Sequence, residues 1–99
     1  MVVWKAHVEN VGDLASEEYA HFAAIHHRLE RVLLDATGAG RAVLLKLGIA
    51  TPHLHLHIYP VGADLDRDAV MKIIDSQVRD AANEDERRTF VDDLRRRLA

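Results

Sequence analysis

Residues 53–59 read His-Leu-His-Leu-His-Ile-Tyr, and no other run in the chain limits its fold as much. Polar and apolar positions alternate with a period of two. Side chains on a β-strand alternate between faces, with a rise of about 3.3 Å per residue. As a strand, the run puts His53, His55, His57 and Tyr59 on one face and Leu54, Leu56 and Ile58 on the other. The imidazoles then repeat every 6.6 Å or so, about twice the strand rise. A helix would scatter them around its cylinder. The leucine face is therefore the expected core face, and the histidine face the candidate site.

A row of three imidazoles can do three things. Imidazole titrates near neutral pH, so a neutral ring can attack phosphorus while a protonated neighbour donates to a phosphate oxygen or a leaving group. Imidazole also binds Zn²⁺, Cu²⁺ and Ni²⁺. Catalytic zinc usually takes three protein ligands, and a third residue along one strand would have to reach back, so a carboxylate or another histidine such as His7 would be needed. The third possibility is a polar, solvent-facing sheet surface without chemistry. Spacing alone leaves all three open.

The rest of the chain narrows the setting. Ninety-nine residues suit one domain, 1–99, with a small core that a second copy would reinforce. The formal net charge of -3 gives no basic field for nucleic acid. No apolar run reaches the roughly 20 residues of a membrane helix, and no signal peptide is visible, so no membrane partner is expected. The absence of cysteine excludes disulfides, thiolate metal sites and a Cys nucleophile, and fits a cytoplasmic setting. There are seven histidines, three of them within five residues. His26 lies on an apolar helix stripe and reads as a core histidine. His21 and His27 lie off it and read as solvent-facing.

The element order predicts an α+β fold with an antiparallel sheet. Val2–Val8 is β-branched and aromatic and reads as a first strand ending near His7. Ser16 reads as an N-cap, with Glu17 and Glu18 in the first helical turn. Tyr19, Phe22, His26, Leu29 and Leu33 then form one buried stripe of a central helix, closed by Gly38 as a left-handed cap. Residues 41–47 read as a second strand and residues 53–59 as a third, with Pro60-Val61-Gly62 breaking it. Two C-terminal helices follow. One runs from Asp66 to Arg79 with Val70, Ile73, Ile74 and Val78 at helical spacing. The other opens on an Asn83–Glu86 capping box and carries Phe90, Val91, Leu94 and Leu98 on one side. Asp64, Asp66 and Asp68 lack the glycine and distal glutamate of a calcium loop and read as helix capping. Arg95, Arg96 and Arg97 fall in a last helical turn, where cations suit the dipole.

The run His53-Leu54-His55-Leu56-His57-Ile58-Tyr59 resembles the signature of the histidine-triad (HIT) family: His, apolar, His, apolar, His, then two apolar residues. Gly48 and Pro52 resemble the approach to that triad in small bacterial members. Val2–Val8 is similar to the family strand that ends in a histidine, and residues 14–18 to the start of its central helix. The resemblance covers about residues 2–61, and residues 64–99 are a helical extension that the family does not lead one to expect. Typical members carry further strands before this point, so the resemblance implies a short member lacking them, with its nucleoside pocket either incomplete or built by a dimer partner or by the tail.

The resemblance implies a HIT-like α+β domain that pairs into a homodimer, and a nucleotide small molecule as substrate. It implies hydrolysis or nucleotidyl transfer at the α-phosphate of a nucleoside phosphoramidate or dinucleoside polyphosphate, with neither a metal nor another cofactor. The nucleophile's role falls on His55, through a covalent nucleotidyl intermediate. His53 and His57 would orient it, contact phosphate oxygens or help the leaving group. His7 and Thr51 are the candidate substrate-binding residues. Thr51 is the one side-chain hydrogen-bond donor in the turn before the triad. The strand where many members carry Asn reads Val43-Leu44-Leu45-Lys46, and Val61 stands where Arg often follows the proline. A noncatalytic nucleotide-binding or regulatory module is the alternative, and a histidine-based metal-binding protein a further one.

Overall fold

A computed structural model of the chain describes residues 1–76 and 84–99. The fold is mixed α+β, as the sequence predicts. Three strands, β1 (Val2–Val3), β2 (Arg41–Leu45) and β3 (His55–Val61), form an antiparallel sheet with β3 in the centre. Three α-helices, α1 (Ser16–Thr37), α2 (Arg67–Ser76) and α3 (Glu84–Leu98), and a short 3-10 turn at Val11–Asp13 complete the described elements. Val78, Arg79 and Asn83, assigned above to helix and cap, lie outside the described residues.

The predicted faces of β3 explain the core. Leu54, at the entrance to the strand, is fully buried, and with Val2 and Phe22 it forms the centre of the hydrophobic cluster. Trp4, Val8, Leu14, Leu29, Leu56 and Ile58 pack around these three. The leucine face of β3 thus rests on α1. Burying a side chain of this size contributes about 1.5–3 kcal/mol. Phe22 is the one fully enclosed member of the predicted α1 stripe. Leu29 packs on the cluster edge, whereas Tyr19 is exposed rather than buried.

The strand boundaries differ from expectation, and the backbone bonds show why. The N–H of Trp4 donates to the carbonyl of Leu54 at 3.1 Å, but the N–H of Leu54 donates to Val8 at 2.7 Å. A regular antiparallel pair would exchange both bonds with one residue. Here residues 5–7 bulge out between the two attachments, so β1 ends at Val3 and His7 sits in a bend instead of a strand. His53 also precedes its strand. Its N–H donates to the carbonyl of Thr51 at 2.8 Å, closing a tight turn centred on Pro52. At the other end β3 continues through Pro60 and Val61, paired with Ala42 and Arg41. The proline is tolerated because β1 pairs only with His55 and Leu56, so no ladder on that side meets its missing N–H. β2 stops at Leu45, short of the expected Leu47.

Local signals set the helix ends. The N-cap of α1 is Ala15, one residue before the expected Ser16, and its N–H donates to the Glu18 carboxylate at 2.8 Å. Gly38 closes α1 in the left-handed region at φ 69°, where other residues are disfavoured. Asp66 caps α2, accepting from the N–H of Ala69 at 2.9 Å. The α3 C-terminus meets α1, where the Arg28 guanidinium donates to the Leu98 carbonyl. Phe90 and Val91 on α3 nevertheless remain exposed.

Candidate active site

The histidine row divides after its first member. His55, His57 and Tyr59 keep the alternation and form a continuous run of rings on one face of β3. His55 and His57 lie with ring centroids 5.1 Å apart, edge to face. His57 and Tyr59 stack at 5.9 Å. Register neighbours on this face are Val3 beside His55, Leu45 beside His57 and Val43 beside Tyr59.

The His53 side chain turns elsewhere. Its Nε2 hydrogen-bonds the Trp4 carbonyl, and its ring sits 5.9 Å from that of His7. The expectation of three imidazoles on one strand face is therefore corrected to two. The Pro52 turn and the bulge of residues 5–7 draw the first ring toward the N-terminal segment.

His53 still touches the site through its backbone. His55 Nδ1 lies 2.6 Å from the His53 carbonyl oxygen. A carbonyl only accepts, so Nδ1 carries the proton. In the neutral ring Nε2 then holds the lone pair. Backbone geometry thus fixes the tautomer in which Nε2 is the nucleophilic atom.

His57 is tuned in the same direction. Desolvation on the half-buried sheet face pushes its pKa below the ordinary 6.5, and the neighbouring charge of His55 and that of the chain's amino terminus add to the effect. Each of these effects favours the neutral ring.

These rings line a cleft of about 770 Å³. Ligand pockets commonly measure about 300–1,000 Å³, so a nucleotide-sized molecule fits. Leu45, Leu47, Gly48, Ile49, Ala50 and Thr51 form one wall. Gly48 turns that loop at φ 65°, a left-handed conformation suited to glycine. Thr51 therefore stands in the cleft with His55 and His57, whereas His7 and the His53 ring lie outside it. Ile73, Ile74 and Asp75, from α2, also line it. Sequence reasoning placed Ile73 and Ile74 in a packing stripe and did not single out Asp75, and nothing local marks them as part of a site.

The other candidates are occupied structurally. The arginines at the end of α3 pair along their own helix: Arg95 with Asp92 at 3.6 Å, Arg96 with Asp93 at 3.5 Å and Arg97 with Asp93 at 3.0 Å. The Arg97 hydrogen bond holds the Asp93 carboxyl below its usual range. His26 packs edge-on against Phe22 at 5.7 Å, and its Nδ1 is buried without a partner among the described residues, so it is a core ring with an unsatisfied atom. His21 and His27 are exposed, as expected. Among the described residues no three His, Asp or Glu side chains converge as a metal-holding group. No described helix is long and apolar enough to cross a membrane.

The chain matches no protein-family model and no curated protein sequence.

Proposed function

We propose that the chain is a phosphoryl-transfer enzyme of histidine-triad type, hydrolysing or transferring at the α-phosphate of a nucleotide derivative. The observation that carries this reading is the bond from His55 Nδ1 to the His53 carbonyl, which leaves Nε2 with its lone pair in a cleft shared with a second imidazole. The resemblance of residues 53–59 to the histidine-triad signature supports the same assignment.

The step balances on these residues. The Nε2 lone pair of His55 attacks phosphorus, the bond from phosphorus to the leaving group breaks, and a phosphoramidate forms on His55. The arriving phosphoryl anion favours protonation of His57, against the desolvation that depresses its pKa. Protonated His57 hands that proton to the leaving group. A water then attacks phosphorus and gives its proton to the now neutral His57. The P–N bond breaks, releasing the nucleoside monophosphate and restoring His55. The Thr51 hydroxyl, exposed in the cleft, is a donor for a phosphate oxygen.

Two features support a homodimer as the working form. β1 and β2 each have a hydrogen-bonded neighbour on one side only among the described residues, and free strand edges favour pairing. Leu44 on β2 and Phe90 and Val91 on α3 are also exposed. The absence of cysteine supports a cytoplasmic setting.

The experiment is turnover of a nucleoside phosphoramidate and of a dinucleoside polyphosphate by the purified chain, with His55→Ala as the control. Activity that falls by about 10³-fold or more, the usual scale for removing a nucleophile, supports the reading. Full activity in His55→Ala removes it. Nucleotide binding without turnover would favour the noncatalytic module instead. Light scattering at twice the chain mass supports the dimer.

A further inference from the structure

The imidazoles of the run are aimed by different means. The rings of His53 and His55 each hydrogen-bond a main-chain carbonyl. His57 has no hydrogen-bond partner among the described residues. The torsion that sets the plane of a histidine ring is broad and roughly two-fold, so a ring without such a bond is aimed by its packing. The strands beside it supply no polar partner. The register neighbours on β2 are Leu45 beside His57 and Val43 beside Tyr59, and β1 pairs only with His55 and Leu56.

The packing on His57 is aromatic. Tyr59 lies with its ring centroid 5.9 Å away and its plane only 26° from that of the imidazole. This is stacking, whereas His55 meets His57 edge to face at 84°. The face of a phenol ring is negative and attracts a cation within about 6 Å of its centroid. The stack therefore favours the imidazolium, against the desolvation that favours the neutral ring. Tyr59 is half-buried, lines the same cleft and stands apart from the buried cluster.

Other charged groups surround His57. His55 on β3 and the chain's amino terminus next to β1 disfavour its proton. The Asp75 carboxylate of α2 lines the same cleft. Lys46, which follows β2, brings its Nζ near Gly48 of that cleft and donates to Asn10 Oδ1 at 3.3 Å. All of these stay in place when Tyr59 alone is changed, so a Tyr59 series isolates the ring face.

We propose that Tyr59 is the positioning residue for His57: its ring face sets the plane of the imidazole and stabilises the protonated form that delivers a proton to the leaving group. The part played in proton delivery rests on the reading of the cleft as a phosphoryl-transfer site. The stack on His57 does not depend on that reading.

The test has two arms, both on the full chain. In the first, the ring C–H resonances of His57 are followed by NMR across the pH range. Tyr59→Leu keeps an apolar cover but removes the π face, and lowers the midpoint by about half a pH unit. Tyr59→Ile, whose branched side chain suits a strand, does the same and serves if the leucine variant folds poorly. Tyr59→Phe keeps the face and recovers the native midpoint. In the second arm, turnover of a nucleoside phosphoramidate is measured against pH. Tyr59→Leu lowers kcat about ten-fold with KM little changed, and moves the alkaline limb of the kcat profile down with the midpoint. Tyr59→Phe recovers most of the lost rate. A midpoint that ignores the loss of the ring, or a phenylalanine variant that behaves like the leucine one, overturns the assignment of the ring face while turnover by the unaltered chain leaves the phosphoryl reading standing. No turnover by the unaltered chain at any pH removes the phosphoryl reading, and with it the part of Tyr59 in proton delivery.

Discussion

Two pairs of histidines have opposite fates. His53 packs against His7 of the N-terminal bulge, with the His53 Nε2 bonded to a main-chain carbonyl. His55 and His57 face an open cleft, one with its tautomer fixed and the other held neutral. Residue type is the same in both. The difference lies in which backbone groups reach each ring: a carbonyl that meets the outer nitrogen of His53 occupies it, and one that meets the inner nitrogen of His55 leaves the outer one unused.

The comparison can be broken from the core outward. Leu54 sits between the pairs in sequence and points away from both. Leu54→Ala should destabilise the fold by about 2–5 kcal/mol, the range for emptying a buried leucine site. Denaturant melts measure this, and a loss below about 1 kcal/mol would mean that the leucine face is not the core. His53→Ala removes the bond to the Trp4 carbonyl and should cost about 1–3 kcal/mol. Its activity should fall far less than that of His55→Ala, because the carbonyl that orients His55 is still present. Equal losses in the two variants would return His53 to the reacting centre.

The smallest effect is the pH dependence of His57. Its pKa is lower in the folded chain than the ordinary 6.5, so between those two values the unfolded chain binds more protons and stability rises with pH. Above the window neither state is protonated and the ring costs nothing. Below the native pKa the cost is complete. Melts at a series of pH values should show a decline on acidification through the window that His57→Gln removes. The same depression predicts proton uptake when a phosphate anion binds, readable by calorimetry in buffers of different ionisation enthalpy.

Much of this was legible in the sequence, and the limits have physical causes. The alternation at residues 54–58 identified the buried face because a period of two has one structural meaning when one side is apolar. Gly38 marked the end of α1 because a left-handed cap strongly favours glycine. The cap at the other end shifted from Ser16 to Ala15, since the Glu18 carboxylate reaches an N–H that any residue provides. The early end of β1 was not legible, because Leu54 divides its bonds between Trp4 and Val8, and that division is a long-range event. The α2 wall was hidden for a related reason. Ile73 and Ile74 look like any packing stripe until the fold brings α2 to the cleft.

The orienting partner of His55 is a peptide group, and this has an evolutionary consequence. No substitution at position 53 deletes that carbonyl, so a survey of side-chain replacements would pass over it. What aims it is the turn at Pro52, whose ring restricts the backbone just before the strand. Drift at position 53 therefore leaves the aim of the His55 ring unchanged in a way that drift at position 52 does not.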